Sequence, residues 1–308
     1  MRILAPIALF VYNRPIHTER TLNALFENKL ADQSILYIFC DGRKNDETAE
    51  GIEQIEAVRE ICRKKKWAKE VNIIEKTDNL GLASSIINGV TEIIEKFGRI
   101  IVLEDDIVTS QGFLQYMNDA LNYYALHEKI MHISGYWFPV KDSGKSLPET
   151  FFYRCSSCWG WATWLRAWQK LEKDTQQLIE KINKIPNGYR TFNLDNTYSY
   201  IGQLEANLSG KINTWAIKWY ASVFLNNGLC LHPNLSLVNN IGFDNTGTHC
   251  STTSEFDWPE LTNHINIREI PIEENKTALK LIKRFYKSNR GSIVTRIRRK
   301  VGTILKQL

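Results

Sequence analysis

Over the first hundred residues, largely apolar runs alternate with amphipathic stretches. Residues 3–12, 35–40 and 71–74 read as strands, and the unbroken apolar run 100–103 as a strand covered on both faces. Between them, residues 18–28 (with Leu22, Leu25 and Phe26), 46–66 and 83–97 carry apolar side chains at helical spacing. This alternation predicts an α/β fold built on a doubly wound, mostly parallel sheet. Further on, residues 113–127, 165–184, 200–208 and 216–226 read as helices, and 130–134, 229–232 and 236–238 as short strands. Trp161, Trp164 and Trp168 stand at i, i+3 and i+7, which predicts one face of a helix and favours packing in the core for these three.

Polar loops follow three of the early strands: Asn13-Arg14-Pro15, Asp41-Gly42 and Glu104-Asp105-Asp106. In a parallel sheet such loops emerge on the same side, so one site can collect all three. The acidic loop is the centre of this reading. Three adjacent carboxylates repel one another and lose hydration if buried. A hard divalent cation, Mg²⁺ or Mn²⁺, relieves that repulsion and in turn binds phosphate oxygens. Taken alone, the cluster also fits a solvated acidic turn.

Length and composition allow a sizeable core, with 308 residues of which 43% are hydrophobic. No run of apolar residues reaches transmembrane length. The apolar start reads as a first strand, because it leads into Asn13-Arg14-Pro15 without a small-residue cleavage site. The scattered cysteines predict free thiols in a reducing compartment. Cys155-x-x-Cys158 has no second pair at zinc-finger spacing, which argues against zinc. The net charge of +5 hides an asymmetry: residues 276–308 hold eleven Lys and Arg and no acid, so residues 1–275 carry −6.

Three of these features together resemble the GT-A class of nucleotide-sugar glycosyltransferases. They are the first strand ending in Asn13-Arg14-Pro15, the segment Asn79-Leu80-Gly81-Leu82-Ala83, and Glu104-Asp105-Asp106. The second is similar to the Asn-x-Gly-Leu-Ala motif of the family 2 enzymes. The third stands at the Asp-x-Asp position, in the form used by N-acetylglucosaminyltransferase I. Cys158-Trp159-Gly160-Trp161-Ala162-Thr163-Trp164 and the segment from Asn239 to His249 resemble a group of bacterial sugar transferases, including the hemolytic-protein-like members.

The resemblance implies a GT-A fold with a nucleotide-sugar-binding half (residues 1–135), an acceptor-binding half of the same domain (136–265) and a basic amphipathic helical tail (266–308). It implies that Asn13 and Arg14 hold the nucleotide and that Asp41 contacts the base. Asn79, Gly81 and Ser84 would line the nucleoside pocket, and Glu104 and Asp105 would face the ribose or donor sugar. Asp106 would bind Mn²⁺ or Mg²⁺, and His249 would bring a second metal or diphosphate contact. Trp159 suits stacking on an acceptor sugar, with Trp161 beside it as a second acceptor contact. Inversion is the stereochemistry implied, and it needs a carboxylate base. The segment Asn213-Thr214-Trp215-Ala216, where the resemblance places that base, holds no acid. Glu205 and Asp244 are the nearest carboxylates. The expected activity is transfer of a hexose to a glycan or a polyprenyl-diphosphate-linked acceptor in bacterial surface polysaccharide synthesis.

In residues 276–308, apolar and basic side chains interleave at near-helical spacing, which suits an anionic membrane surface. The protein is therefore expected to be cytoplasmic and peripheral on the inner face of the membrane. Nucleic acid is not an expected partner: the body is acidic and no recognised motif is present. Two rival readings stay open. A sugar nucleotidyltransferase would want an early Gly-rich basic loop. A non-enzymatic carbohydrate- or membrane-binding module would leave the acidic strand end without a role.

Overall fold

The computed structural model describes residues 4–244 and 254–289. The first elements alternate as the apolar pattern requires: β1 (Ile7–Val11), α1 (Pro15–Phe26), β2 (Ile35–Cys40), α2 (Ala49–Arg63), β3 (Glu70–Glu75), α3 (Leu82–Phe97) and β4 (Arg99–Glu104). Then come β5 (Ile107–Thr109), α4 (Phe113–Tyr123), β6 (Ile130–Ser134), α5 (Ser143–Ser146), β7 (Thr150–Tyr153) and β8 (Trp161–Trp164). A helical stretch comes next, with α6 (Leu165–Trp168), α7 (Thr175–Asn183), α8 (Gly188–Phe192), α9 (Tyr200–Leu208) and α10 (Ala216–Leu225). The last elements are β9 (Leu229–Pro233), β10 (Val238–Asn240) and α11 (Lys276–Asn289).

Eight strands form one sheet in the order β3-β2-β1-β4-β8-β6-β9-β7. Strands β1 to β4, β6 and β9 run one way, and β7 and β8 run against them. Both expected halves of the chain contribute strands to this single sheet. Alternation along each strand sorts the core into two layers. Ile7, Leu9, Leu36, Ile38, Ile101 and Leu103 pack with α1, α2 and α4. Ala8, Phe10, Phe39, Ile100 and Val102 face α3 and a group of tryptophans. Helices on both faces make the sheet doubly wound, as expected.

The tryptophan segment differs from its expected form. Residues 161–164 are a strand, not a helix face. β8 lies inside the sheet, with Ala162 opposite Ile101 of β4 and Ile133 of β6. Trp161 therefore joins one layer, while Ala162 and Trp164 join the other. Pairing on both edges overrides a spacing that suits a helix, and Trp and Thr sit well on a pleated surface. The helix expected over 165–184 is broken in two. Asp174 caps the second piece, accepting from the Gln177 backbone N–H at 3.1 Å.

A third core layer joins β7 to α7, α9, α10 and α11. Within α11, Ala278 and Ile282 are fully buried, and Leu279, Leu281, Phe285 and Tyr286 pack against the same layer. The apolar face of this half of the tail is thus spent on the body. Residues 290–308, the other half, lie outside the described residues.

Candidate active site

Parallel pairing of β2, β1 and β4 puts the loops after them on one side, as the apolar pattern predicts. Pro15 opens α1 directly after β1 and leaves Arg14 at the helix entry. From there its guanidinium reaches the acidic turn between β4 and β5. Arg14 Nε donates to Asp105 Oδ2 at 3.1 Å, and Nη2 donates to Asp105 Oδ1 and to Asp106 Oδ2, the latter at 2.9 Å. Thr21 Oγ1 donates to the Asp105 carbonyl at 2.7 Å and fixes the turn. Burial raises the Asp105 pKa to about 6, with repulsion from Asp106 adding and Arg14 opposing. Burial, then Asp106 and Asp105, push Glu104 well above the ordinary carboxylate range. Burial works against the charge on Arg14, and the two aspartates outweigh it.

A second wall comes from far along the chain. β5 pairs antiparallel with β10, with Ile107 opposite Asn240. This pairing lays the next loop over the acidic turn. The Ile241 N–H donates to the Asp106 carbonyl at 2.9 Å. Gly242 then passes so close that a Cβ there would lie 2.3 Å from Asp106 Oδ2 and 3.0 Å from Arg14 Nη1. Asp244 comes next, with Oδ2 3.0 Å from Nε2 of the buried His17. Sequence reasoning missed His17, Thr21 and Gly242. His17 and Thr21 had only their position on α1 just after Arg14 as a signal, and Gly242 stood in the segment 239–249 that carries the resemblance, without a role given to it.

Beside this centre, Asp41 is buried and binds backbone. Its carboxylate accepts from the N–H groups of Gly42 at 3.0 Å, Leu80 at 3.0 Å and Gly81 at 3.1 Å. Asn79 Nδ2 donates to the Gly42 carbonyl at 2.9 Å. The two loops are thereby locked together, and Asp41 positions the Asn79–Gly81 turn. Gly81 has φ +74° and ψ 153°, a conformation that suits glycine, and it opens α3 without a side-chain cap. Ser84 lies half-buried in the first turn of α3, and Asn13 is half-buried at the end of β1.

The other expected residues divide. Trp159 is half-buried, with its ring 4.4 Å from Tyr136, 5.4 Å from Phe243 and 5.8 Å from Phe256. Phe256 also borders a groove of about 520 Å³ lined by Tyr198, Gln203, Phe285 and Tyr286. Trp161 is completely buried, stacked on Trp215 at 5.0 Å and on His132 at 5.5 Å. It is a core residue, as its spacing favours, and presents no face to an acceptor, which corrects the expected acceptor contact. Glu205 is exposed on α9, and its neighbour Ala206 lines the same groove. His249 lies outside the described residues.

Among the described residues, no three His, Cys, Asp or Glu side chains converge on one point as a metal-ligand set. The site nonetheless suits a hard cation. Asp105, Asp106 and Asp244 lie against one guanidinium and one imidazole, so negative charge remains even without Glu104, whose carboxyl burial pushes up. Mg²⁺-type ions need only one or two carboxylates when phosphate oxygens complete the shell.

The chain matches no known family profile and no curated protein. Among solved structures it is similar to mouse xyloside xylosyltransferase 1 in its apo form, at 10% identity and TM-score 0.39, covering 72% of this chain and 81% of that one. It is similar to an active-site mutant of LgtC at 7% identity and TM-score 0.35, covering 59% and 69%. It is also similar to S. aureus TarS at 13% identity and TM-score 0.29, covering 42% of this chain and spanning only 21% of TarS. Overlaps this loose identify neither a family nor an activity.

Proposed function

We propose that this protein is a metal-dependent glycosyltransferase using a nucleotide-sugar donor. The observation that carries the reading is the meeting of Arg14, Asp105, Asp106 and the Gly242 loop at the carboxyl ends of β1 and β4. Ligands of open α/β sheets bind at such strand ends. Asn79, Gly81 and Ser84 would line the nucleoside, on a turn that Asp41 holds in shape. Glu104 and Asp105 would face the ribose or sugar. Asn13 and Arg14 would hold the diphosphate, and Asp106 would bind the cation, with His249 as a further contact. A bound Mn²⁺ or Mg²⁺ would neutralise the charge that develops on the departing diphosphate.

Asp244 is the proposed base, oriented by His17. It would take the proton from the acceptor hydroxyl as that oxygen attacks the anomeric carbon and the nucleoside diphosphate leaves, with inversion. Trp159, with Phe243 and Phe256, would offer the acceptor sugar an aromatic wall, and the groove beyond Phe256 would take the rest. The proposed acceptor is a glycan or polyprenyl-diphosphate-linked saccharide of a bacterial surface polysaccharide, modified on the cytoplasmic side. The acceptor class rests on the resemblance of the tryptophan segment and of residues 239–249, and the polyprenyl link and cytoplasmic side rest on the basic residues from Lys276 onward.

Steady-state turnover of a UDP-, GDP-, CDP- and dTDP-sugar panel tests the assignment. Asp244→Asn is expected to lower kcat by at least about 100-fold, within the range general-base removal gives, with donor KM little changed. Glu205→Gln is expected to keep wild-type kcat. The reverse pattern would move the base to Glu205.

A further inference from the structure

We propose that the outer face of α11 docks this protein on an anionic lipid bilayer. The helix turns Ala278 and Ile282 into the body, so the opposite side faces outward. That side carries Lys276, Lys280, Arg284 and Lys287, at i, i+4, i+8 and i+11, one stripe along the helix. All four are exposed, and none has a carboxylate partner among the described residues. Lys283, on the edge of the stripe, is paired with Asp195 at 2.5 Å. The five basic side chains border one shallow depression together with Leu279. No acidic residue interrupts the stripe or the sequence from there to Leu308.

The body carries −6, so the stripe is a local reversal of sign and not part of a generally basic surface. Attraction of a few cations to a flat field of headgroup phosphates suits such a patch. The sequence beyond α11 favours a bilayer over nucleic acid. Ile293, Val294, Ile297, Val301, Ile304 and Leu305 alternate with Arg296, Arg298, Arg299 and Lys300, and apolar residues at that frequency have partners in lipid and none on a phosphate backbone. Because the apolar face of α11 is spent on the protein, its contact with lipid is electrostatic. Among the described residues, no helix is long and apolar enough to cross a membrane. Docking through α11 is independent of the transferase reading.

Co-sedimentation of the full chain with vesicles tests the proposal. Wild type is expected to bind phosphatidylcholine vesicles containing about one third phosphatidylglycerol at ~0.1 M salt, to leave them near ~0.5 M salt, and to ignore pure phosphatidylcholine. Replacing Lys276, Lys280, Arg284 and Lys287 together by Gln should weaken binding at least about tenfold. Replacing Lys276, Lys280 and Lys287 by Arg should preserve it. Binding of the Gln variant at wild-type strength, loss in the Arg variant, or equal binding to neutral vesicles would overturn the proposal. So would an RNA oligonucleotide that binds wild type more tightly than the anionic vesicles and displaces them. Nucleotide-dependent melting, read on the same Gln variant, reports the donor site separately.

Discussion

A methyl group at position 242 would sit inside the contact between Arg14 and Asp106, since its Cβ would meet carboxylate oxygen at 2.3 Å. Gly242→Ala must therefore displace the loop or the aspartate. It is expected to cost about 1–3 kcal/mol of stability and to weaken nucleotide binding in the presence of metal, read by thermal melting and calorimetry. Wild-type binding in this variant would mean that the loop does not close the site. Arg14 carries the opposite risk. Its removal leaves Asp105 and Asp106 as buried neighbours without a counter-ion. Arg14→Met is expected to lose roughly 2–4 kcal/mol, somewhat under the value for a fully buried pair because the side chain keeps some exposure. Added Mg²⁺ or Mn²⁺ should raise the melting temperature of this variant more than that of wild type. Two buried histidines make a further residue-scale prediction. His132 accepts from Trp219 Nε1 at 3.1 Å through Nδ1, so its Nε2 carries the proton and donates to the Ser157 carbonyl. His232 lies between the carbonyls of Tyr136 and Cys155, ringed by Trp137, Phe151 and Tyr153. Burial lowers its pKa to about 4 against the opposing pull of those two carbonyls, and holds His132 well below its ordinary value. The unfolded chain then binds protons that the fold refuses. Stability from this source is complete above about pH 6.5 and is lost as pH falls toward 4. Measured as a difference between wild type and His232→Asn, so that other groups cancel, wild type should lose roughly 3 kcal/mol relative to the variant over that window.

At the scale of elements, β8 shows which interactions dominate. Trp161 stacks on Trp215 and His132 from the middle of the sheet, while Trp159 lies half-buried among Tyr136, Phe243 and Phe256. Trp161→Ala is expected to cost about 3–5 kcal/mol in a denaturant titration. Trp159→Ala should cost clearly less and act mainly on acceptor KM. Equal losses would show that both rings are structural. Strands β1, β2 and β4 were legible because each is a largely buried apolar run, β3 at the sheet edge by its Val71, Ile73 and Ile74, and their loops because a parallel sheet puts them on one side. β8 was not legible, because its helical spacing is overruled by β4 and β6, neither of which adjoins it in sequence. The same reason hid the approach of Gly242 to Asp106, which depends on β5 finding β10. His17 carries no pattern of its own and becomes visible only when Asp244 arrives beside it. Asp41 was legible as a residue of the loop after β2, while the backbone N–H groups it holds required the fold.

For the molecule as a whole, two chemistries lie next to each other, joined by Phe243, which follows Gly242 and packs on Trp159 and Phe256. The carboxylate centre lies at the ends of β1 and β4, and the aromatic groove reaches from Phe256 to α11. Outside them, the cationic stripe of α11 lies on a body of net negative charge. The central claim is that the carboxylate centre binds a nucleoside diphosphate through a cation at Asp106. Thermal melting of wild type and Asp106→Ala with UDP, GDP, CDP or dTDP, each with Mn²⁺, Mg²⁺ or EDTA, tests it directly. A ligand that binds only the native state raises the melting temperature. The expected result is that one nucleotide stabilises wild type with metal and not with EDTA, and that Asp106→Ala abolishes the shift while staying folded. If no nucleotide shifts wild type, or if Asp106→Ala responds as wild type does, the carboxylate centre is not a donor site.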